Sequence, residues 1–372
     1  MHTNGHGHRK SSRITVAAFS SYALGLRRQL PLFRIGSTLE KLAIRTWELE
    51  APSVSIASKA FYLPGQLDRV TGMAYTDNPL REMQGGYEIQ HNPTRAFLFK
   101  NMWQTNNSLY RGRWRIDLRA RKWLSRAQKL MPPMQVEVEL DRASIYSTYD
   151  GNEFFGLWLT DDCPAYSLAA NEGTPLTCLP AGHYPHQLEY HTLWGMNPVR
   201  AQTAYLKEAV IVHDDWSYGK GKHARFGDLR SRLLARMPHE PHPGVFILRR
   251  DSGNSRIMRN ELEVAEYLRE KRGFKVMDVT QNTATEILTA SAGARVVAGV
   301  EGSQIINGLM VLNPGASLLA LQPPNRFCCV IKKATDMEGI HYAFVVGTPT
   351  EQGFEVDTQE IERTLDLLPV AA

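Results

Sequence analysis

Strands and helices alternate between residues 244 and 324, and this alternation constrains the fold more than any other feature of the chain. Four short apolar runs are predicted strands, at 244–248, 274–279, 295–300 and 316–321. Helical spacing separates them, at 260–271, at 283–292 and from Gly302-Ser303 to Leu312. Such alternation implies right-handed crossovers and a parallel sheet covered on both faces. We therefore expect an α/β fold whose C-terminal domain is a doubly wound parallel sheet.

Two features at the carboxyl ends of these strands are suited to an anion. Arg249 and Arg250 directly follow the first strand, and Arg256 and Arg259 come soon after. Ligands of such sheets bind beyond the carboxyl ends of the strands. The Gly302-Ser303 turn offers free backbone N–H groups at a helix start, which also favour negative charge.

The length of the chain favours two domains. At 372 residues it is long for a single core. We expect a disordered tail at 1–13, an N-terminal domain at 14–205 and a C-terminal Rossmann-like domain at 206–372, with a last helix that could pack back on the N-terminal domain. The polar start does not resemble a secretory signal, and no apolar run approaches the ~20 residues of a membrane span. The four cysteines show neither the paired spacing of a metal site nor a disulfide framework. These features favour a cytoplasmic protein.

The net charge of +5 is a mild excess that suits a phosphorylated substrate or peripheral contact with an anionic membrane. The segment 111–126 combines arginines with Trp114 and Trp123, as in some nucleic-acid readers. The favoured alternative is a solvated helix with buried tryptophans, so no nucleic-acid partner is expected.

An acidic pair ends the second informative stretch, residues 150–164. The turn at 150–152 is predicted to start an aromatic helix that runs toward Pro164, with Asp161 and Asp162 near its end. Adjacent residues of a helix point in different directions, so at most one of the two carboxylates faces a given site. That residue could act as a general base, and the alternative is a pair that faces solvent.

Several of these motifs together resemble glycosyltransferase family 61, whose members are often labelled capsular polysaccharide biosynthesis proteins. The matching runs are Leu248-Arg-Arg-Asp-Ser252, Arg256-Ile-Met-Arg-Asn-Glu261, Gly273-Phe274, Ala298-Gly-Val-Glu-Gly-Ser-Gln-Ile-Ile-Asn307 and Pro314-Gly315, with residues 152–164 similar to the N-terminal block of the family. The chain departs from the family at two places. Glu301-Gly302-Ser303 replaces His-Gly-Ala, and Gly156-Leu157 precedes Trp158 where a histidine is usual.

The resemblance implies a GT-B architecture, with two Rossmann-like domains facing across a cleft. It makes 14–205 the acceptor-side domain and 206–372 the nucleotide-sugar-binding domain. It further implies inverting, metal-independent transfer from a nucleotide sugar to a glycan or lipid-linked acceptor in bacterial surface or capsular polysaccharide synthesis, with no cofactor. The missing histidines leave open a non-catalytic relative that binds or assembles such molecules. Dinucleotide and P-loop enzymes are disfavoured because neither G-x-G-x-x-G nor G-x-x-x-x-G-K-[ST] follows a predicted strand.

Roles for the candidate residues follow from this resemblance and from their chemistry. Candidate phosphate contacts are Arg249, Arg250, Arg256, Arg259, Gly302 and Ser303. Neighbours on a strand alternate sides, so only one of Arg249 and Arg250 is expected to face the cleft, and the alternative for the arginines is surface pairing with Asp251 or Glu263. Asn307 is placed either to reach the nucleotide or to pack as a buried amide. Asp161 or Asp162 is the expected base, with Glu301 in reserve. Glu301 is alternatively a helix-capping acid, a partner for an arginine, or an acceptor for sugar hydroxyls.

Overall fold

The computed structural model describes residues 34–35, 39–75, 78–105, 108–111, 114–117, 136–214, 218–250 and 256–369, and they form an α/β structure. The described strands are β1 (Arg34–Ile35), β2 (Arg45–Glu50), β3 (Ser53–Ile56), β4 (Met73–Ala74), β5 (Glu88–His91), β6 (Thr94–Thr105), β7 (Ser108–Arg111), β8 (Trp114–Asp117), β9 (Val138–Ile145), β10 (Thr174–Thr177), β11 (Val199–Arg200), β12 (Thr203–His213), β13 (His242–Leu248), β14 (Lys275–Asp278), β15 (Ala294–Val300), β16 (Ser317–Gln322), β17 (Phe327–Cys328), β18 (His341–Val346), β19 (Thr348–Thr350) and β20 (Gly353–Glu355).

The described helices are α1 (Leu39–Leu42), α2 (Pro79–Gln84), α3 (Phe155–Leu157), α4 (Cys163–Glu172), α5 (Gln187–Trp194), α6 (Lys220–Leu234), α7 (Glu261–Arg272), α8 (Ala284–Ser291), α9 (Ser303–Leu309), α10 (Val330–Met337) and α11 (Thr358–Leu365). A 3-10 turn spans Leu67–Arg69, and a π-helical turn, Trp158–Asp162, joins α3 to α4. No helix in these described ranges combines the length and apolarity that a membrane crossing requires.

The N-terminal half of the chain builds a mixed sheet. Its described strands follow the order β1-β8-β7-β6-β12-β9-β10-β11, and β2 also pairs with β6. Strand β12 lies in the middle, antiparallel to β6 and parallel to β9. The predicted domain boundary between residues 205 and 206 falls within β12, and the division into domains stays a prediction.

The C-terminal half builds a sheet of five described strands, in the order β14-β13-β15-β16-β18, and every pair is parallel. The chain therefore steps from β13 outward to β14 and then returns past β13 to β15. Its expected parallel, doubly wound character is confirmed. The strands come out within one or two residues of the predicted bounds because parallel strands are near-continuous apolar runs flanked by turn residues.

Helices cover both faces of this parallel sheet. On one face, α7 and α11 bury Val264, Leu268 and Ile361 against strand residues such as Phe246. On the other face, the buried side chains of α8, α9 and α10 form a separate and larger cluster. That larger cluster continues into α5 and α6, so one apolar core joins these two helices to the parallel sheet.

Two local predictions are wrong. Residues 155–172 are helical through Pro164, because the π-helical turn directly before it interrupts the regular hydrogen-bond pattern that a proline would otherwise break. Within the predicted basic helix 111–126, residues 114–117 form strand β8, which pairs with β7. Residues 118–126 lie outside the described ranges, as do the predicted tail at 1–13 and Trp123.

Candidate active site

The strand order of the parallel sheet places Arg249 and Glu301 at the same crevice. β13 pairs with β14 on one side and with β15 on the other, so the chain connections diverge between β13 and β15. Such a point opens a crevice at the carboxyl ends of the strands. Arg249 is the first residue after β13, and Glu301 is the first after β15.

Glu261, at the start of α7, fixes the backbone at the end of β13. Its carboxylate accepts from the backbone N–H of Arg249 at 2.6 Å and of Arg250 at 2.9 Å. Arg250 adopts a left-handed conformation, with φ of 53°. As a result the two side chains diverge: Arg249 is buried, whereas Arg250 is exposed and lies 3.4 Å from the carboxylate of Asp278.

Three guanidinium groups and one carboxylate gather at the crevice. Arg249 Nη1 donates to Gln304 Oε1 at 3.0 Å. Arg256 Nη1 donates to the main-chain oxygen of Glu301 at 2.7 Å and also to its carboxylate. Arg326 Nη1 lies 3.9 Å from Glu301 Oε2. We call Arg249, Arg256 and Arg326, with Glu301 and Gln304, the arginine cradle.

Positive charge exceeds negative charge in the arginine cradle. Burial, followed by repulsion from Arg256, lowers the pKa of Arg249 to about 10, so it remains protonated at neutral pH. Arg256 Nε and Arg326 Nη1 are buried atoms that find no hydrogen-bond acceptor within the described part of the chain. An anion with several acceptor oxygens would satisfy both the charge and these donors.

Gly302 lets the backbone approach the arginine cradle closely. A Cβ at this position would lie 2.2 Å from Arg249 Nη1 and 3.1 Å from Arg256 Nη1, and the φ of 155° further disfavours a side chain. Ser303 is half-buried and begins α9. The structure therefore brings five of the expected residues together, namely Arg249, Arg256, Glu301, Gly302 and Ser303.

The structure places Arg250, Arg259 and Asn307 apart from this group. Arg250 turns toward Asp278, and Arg259 is exposed and precedes α7, so it does not share a helical face with Arg256. Asn307 is fully buried and accepts from the hydroxyl of Tyr190 at 2.7 Å. Asn307 thus ties α5 to α9, which is the packing role left open by the sequence.

The two expected carboxylates at 161 and 162 have different surroundings. Asp162 is fully buried, and its Oδ1 accepts from the backbone and the hydroxyl of Thr148 at 2.8 and 2.9 Å. Burial raises the pKa of Asp162 well above its usual value. Asp161 instead accepts from Lys222 Nζ at 2.6 Å. Neither carboxylate faces solvent, so the solvent-exposed alternative is wrong.

Lys222 belongs to a buried network of charges. Its ammonium also lies 3.6 Å from Asp214, which accepts from Arg225 at 2.9 Å. Arg225 in turn pairs with Glu50 at 2.9 Å. Burial alone would raise the pKa of Asp214, but Lys222 and Arg225 outweigh it and hold the pKa below its usual value. The network thus fixes the position of Asp161 through Lys222 of α6 and Asp214, the residue after β12.

The helix that leads to Asp161 starts against the turn that follows Glu301. A Cβ on Gly156 would lie 3.0 Å from Ser303 Oγ and 2.5 Å from Ile306 Cδ1, so α3 touches the start of α9. The pairing of β4 with β17 brings another N-terminal segment to the same region. The helical segment that carries Asp161 therefore begins against the turn that follows Glu301.

Sequence reasoning missed Arg326, Gln304 and Lys222. Arg326 follows β16 by four residues, so the strand-end rule that selected Arg249 could have selected it too. Gln304 adjoins the selected turn. Lys222 lies on a helix 61 residues from its partner Asp161, and no local pattern indicates that contact.

Comparison with known proteins gives one family. Residues 126–319 match the family model described as Glycosyltransferase 61, which is more than half of the chain. The matched region includes Asp161, Arg249, Arg256 and Glu301, but it ends before Arg326. No curated protein matches the chain. In the described ranges, no group of three His, Cys, Asp or Glu side chains is arranged to hold a metal ion.

Proposed function

The chain belongs to glycosyltransferase family 61, and we propose that it transfers a sugar from a nucleoside-diphosphate donor to a glycan acceptor with inversion and without a bound metal. Family membership implies glycosyltransferase activity in general. The observation that supports this specific reaction is the arginine cradle, because its guanidinium groups meet at the crevice where a doubly wound sheet binds ligands.

The arginine cradle matches the charge of the leaving group. Negative charge develops on the diphosphate as the bond to the anomeric carbon breaks. Arg249, Arg256 and Arg326 supply positive charge and planar N–H donors there, and the partial burial of the group strengthens each interaction. In this proposal the arginines stabilise the departing diphosphate.

Asp161 is the proposed base that takes the proton of the acceptor hydroxyl. Asp162 is enclosed by Thr148 and Gly151 and lies out of reach of an acceptor. Glu301 is paired with Arg256 and lies 3.9 Å from Arg326, so its carboxylate is already engaged by guanidinium groups. Asp161 is also ion-paired, but its partner Lys222 is shared with Asp214.

The proposed setting is that of a GT-B enzyme of bacterial surface or capsular polysaccharide synthesis, in the cytoplasm or at the inner membrane face. The N-terminal part would present the acceptor and the C-terminal part the donor. Contact between α3 and Ser303 supports such an arrangement, because it sets a helix of the N-terminal part against the turn that follows Glu301.

One observation favours a second candidate function, a non-catalytic binder of nucleotide sugars or glycans. The carboxylate of Glu301 already neutralises part of the arginine cradle, at the turn where the family usually has histidine. A protein that binds the donor without cleaving it would tolerate this change more readily than an enzyme.

Calorimetry and turnover assays test both functions. Wild type is titrated with UDP, GDP, CDP and their sugar conjugates. Arg249→Ala and Arg256→Ala should each weaken binding by about tenfold or more, whereas Arg250→Ala, a matched control at an exposed position, should not. Binding with release of sugar or transfer supports the enzyme, and binding without turnover supports the binder. Absence of binding by wild type overturns both.

A further inference from the structure

An aromatic side chain lies at the edge of the arginine cradle and has no part in the proposed chemistry so far. Tyr75 directly follows β4, which pairs with β17 and is thereby carried to the carboxyl side of the parallel sheet. Its backbone is left-handed, with φ of 61°, and its side chain is 61% exposed. A bulky residue is rarely held in this conformation, and such strain is concentrated at functional sites.

The ring of Tyr75 is in contact with groups of the site. The guanidinium of Arg326 lies over it, 5.7 Å from the ring centroid. The ring of half-buried Phe154 meets it edge-on, with centroids 6.3 Å apart. Phe154 directly precedes α3, the helix that touches Ser303. Tyr75 and Phe154 therefore form an aromatic surface that shares Arg326 with the arginine cradle.

We propose that Tyr75 and Phe154 form a subsite for a sugar ring beside the phosphates. This inference rests on the proposed function. The C–H faces of a pyranose stack on aromatic faces, while guanidinium and carboxylate groups such as Arg326 and Glu301 bind its hydroxyls. Since Arg326 belongs to both the arginine cradle and the aromatic surface, a sugar ring bound there lies beside the diphosphate. A nucleobase is separated from the phosphates by the ribose.

The sugar at this subsite has two possible sources, the donor and the acceptor, and one set of variants separates them. Tyr75→Ala removes the ring and Tyr75→Phe keeps it. Tyr87→Ala is the matched control, because Tyr87 also stacks with an arginine, Arg81, at 4.2 Å and bonds to Glu82. Each variant is titrated with the nucleoside diphosphate that wild type binds and with its sugar conjugates.

A donor subsite predicts that Tyr75→Ala weakens binding of the sugar conjugate by about tenfold while binding of the free diphosphate is unchanged. An acceptor subsite predicts that Tyr75→Ala keeps its affinity for the free diphosphate and for the sugar conjugate. In that case the saturation-transfer NMR signals of methyl glycosides, recorded with the diphosphate present, are lost in Tyr75→Ala. Tyr75→Phe and Tyr87→Ala should behave as wild type in both arms.

Two results overturn the subsite and leave the proposed function intact. One is that Tyr75→Ala weakens the diphosphate and its sugar conjugate equally. The other is that it changes neither titration nor the NMR signals. If no diphosphate binds to wild type, the proposed function fails and the subsite fails with it.

Discussion

Arg256 binds Glu301 twice, through the main-chain oxygen at 2.7 Å and through the side-chain carboxylate. The backbone bond fixes the guanidinium without changing its charge, whereas the carboxylate cancels that charge. Glu301 is almost fully buried, so water screens this pairing little. The same carboxylate would repel a phosphate that enters the arginine cradle.

Glu301→Gln should therefore increase the affinity for a nucleoside diphosphate, by about five- to tenfold. Glutamine keeps the size of the side chain, and the backbone bond to Arg256 remains. Calorimetry with UDP and with inorganic pyrophosphate measures the change. Glu266→Gln, an exposed site paired with Arg269, controls for the net charge. Weaker binding by Glu301→Gln would instead show that the carboxylate is needed to orient Arg256.

Asp161→Asn should lower kcat by about 10²–10⁴-fold and leave the affinity for the donor unchanged, because the variant removes a base but no positive charge. The amide still accepts from Lys222, so the buried network is retained. Rates of sugar transfer and calorimetry are measured on the same preparation. Asp141→Asn is a control at an exposed ion pair with Lys207. Unchanged kcat would remove Asp161 from the mechanism.

Asp162→Asn should gain stability relative to wild type as the pH rises. Burial holds the folded pKa of Asp162 above its unfolded value, about 3.9. A raised pKa stabilises the fold fully below the unfolded pKa, and this stability is lost as pH rises through the folded pKa. Asparagine does not titrate, so that decline disappears. Urea unfolding at about pH 5 and about pH 8 measures the free energy of unfolding of the variant and of wild type. If the difference between the two proteins is the same at both pH values, the expected protonation of Asp162 is contradicted.

The sequence could predict the parallel sheet because its signals are local. Each strand is an apolar run bounded by turn residues, and β15 ends at the predicted residue, Val300. The strand-end rule then located Arg249 and Glu301. The positions of Lys222, Arg326 and Tyr75 depend on contacts between distant segments. Tyr75, for example, reaches Arg326 only because β4 pairs with β17 across about 250 residues.

Local pattern also fails where two roles look alike in sequence. Asn307 lies in the first turns of a helix at a ligand crevice, which suits a nucleotide contact. Its actual partner, Tyr190, comes from another helix 117 residues away. Likewise, a proline such as Pro164 usually marks the end of a helix, but here the preceding π-helical turn allows the helix to continue past it.

The buried pair of Tyr190 and Asn307 gives the last prediction. Tyr190→Phe removes the hydroxyl and leaves Asn307 Oδ1 without that donor in a fully buried position, so the free energy of unfolding should fall by about 1–3 kcal/mol. Tyr205→Phe is a matched control, since Tyr205 donates to Asn101 at 2.9 Å on the surface, where water replaces the lost partner. Its change should stay within about 0.5 kcal/mol. Urea denaturation measures both, and calorimetry with UDP should show no loss of affinity for Tyr190→Phe. If Tyr190→Phe instead lost affinity for UDP and kept its stability, Asn307 would be assigned to the nucleotide. The missing hydroxyl would then have disturbed a ligand contact and not the packing of the two helices.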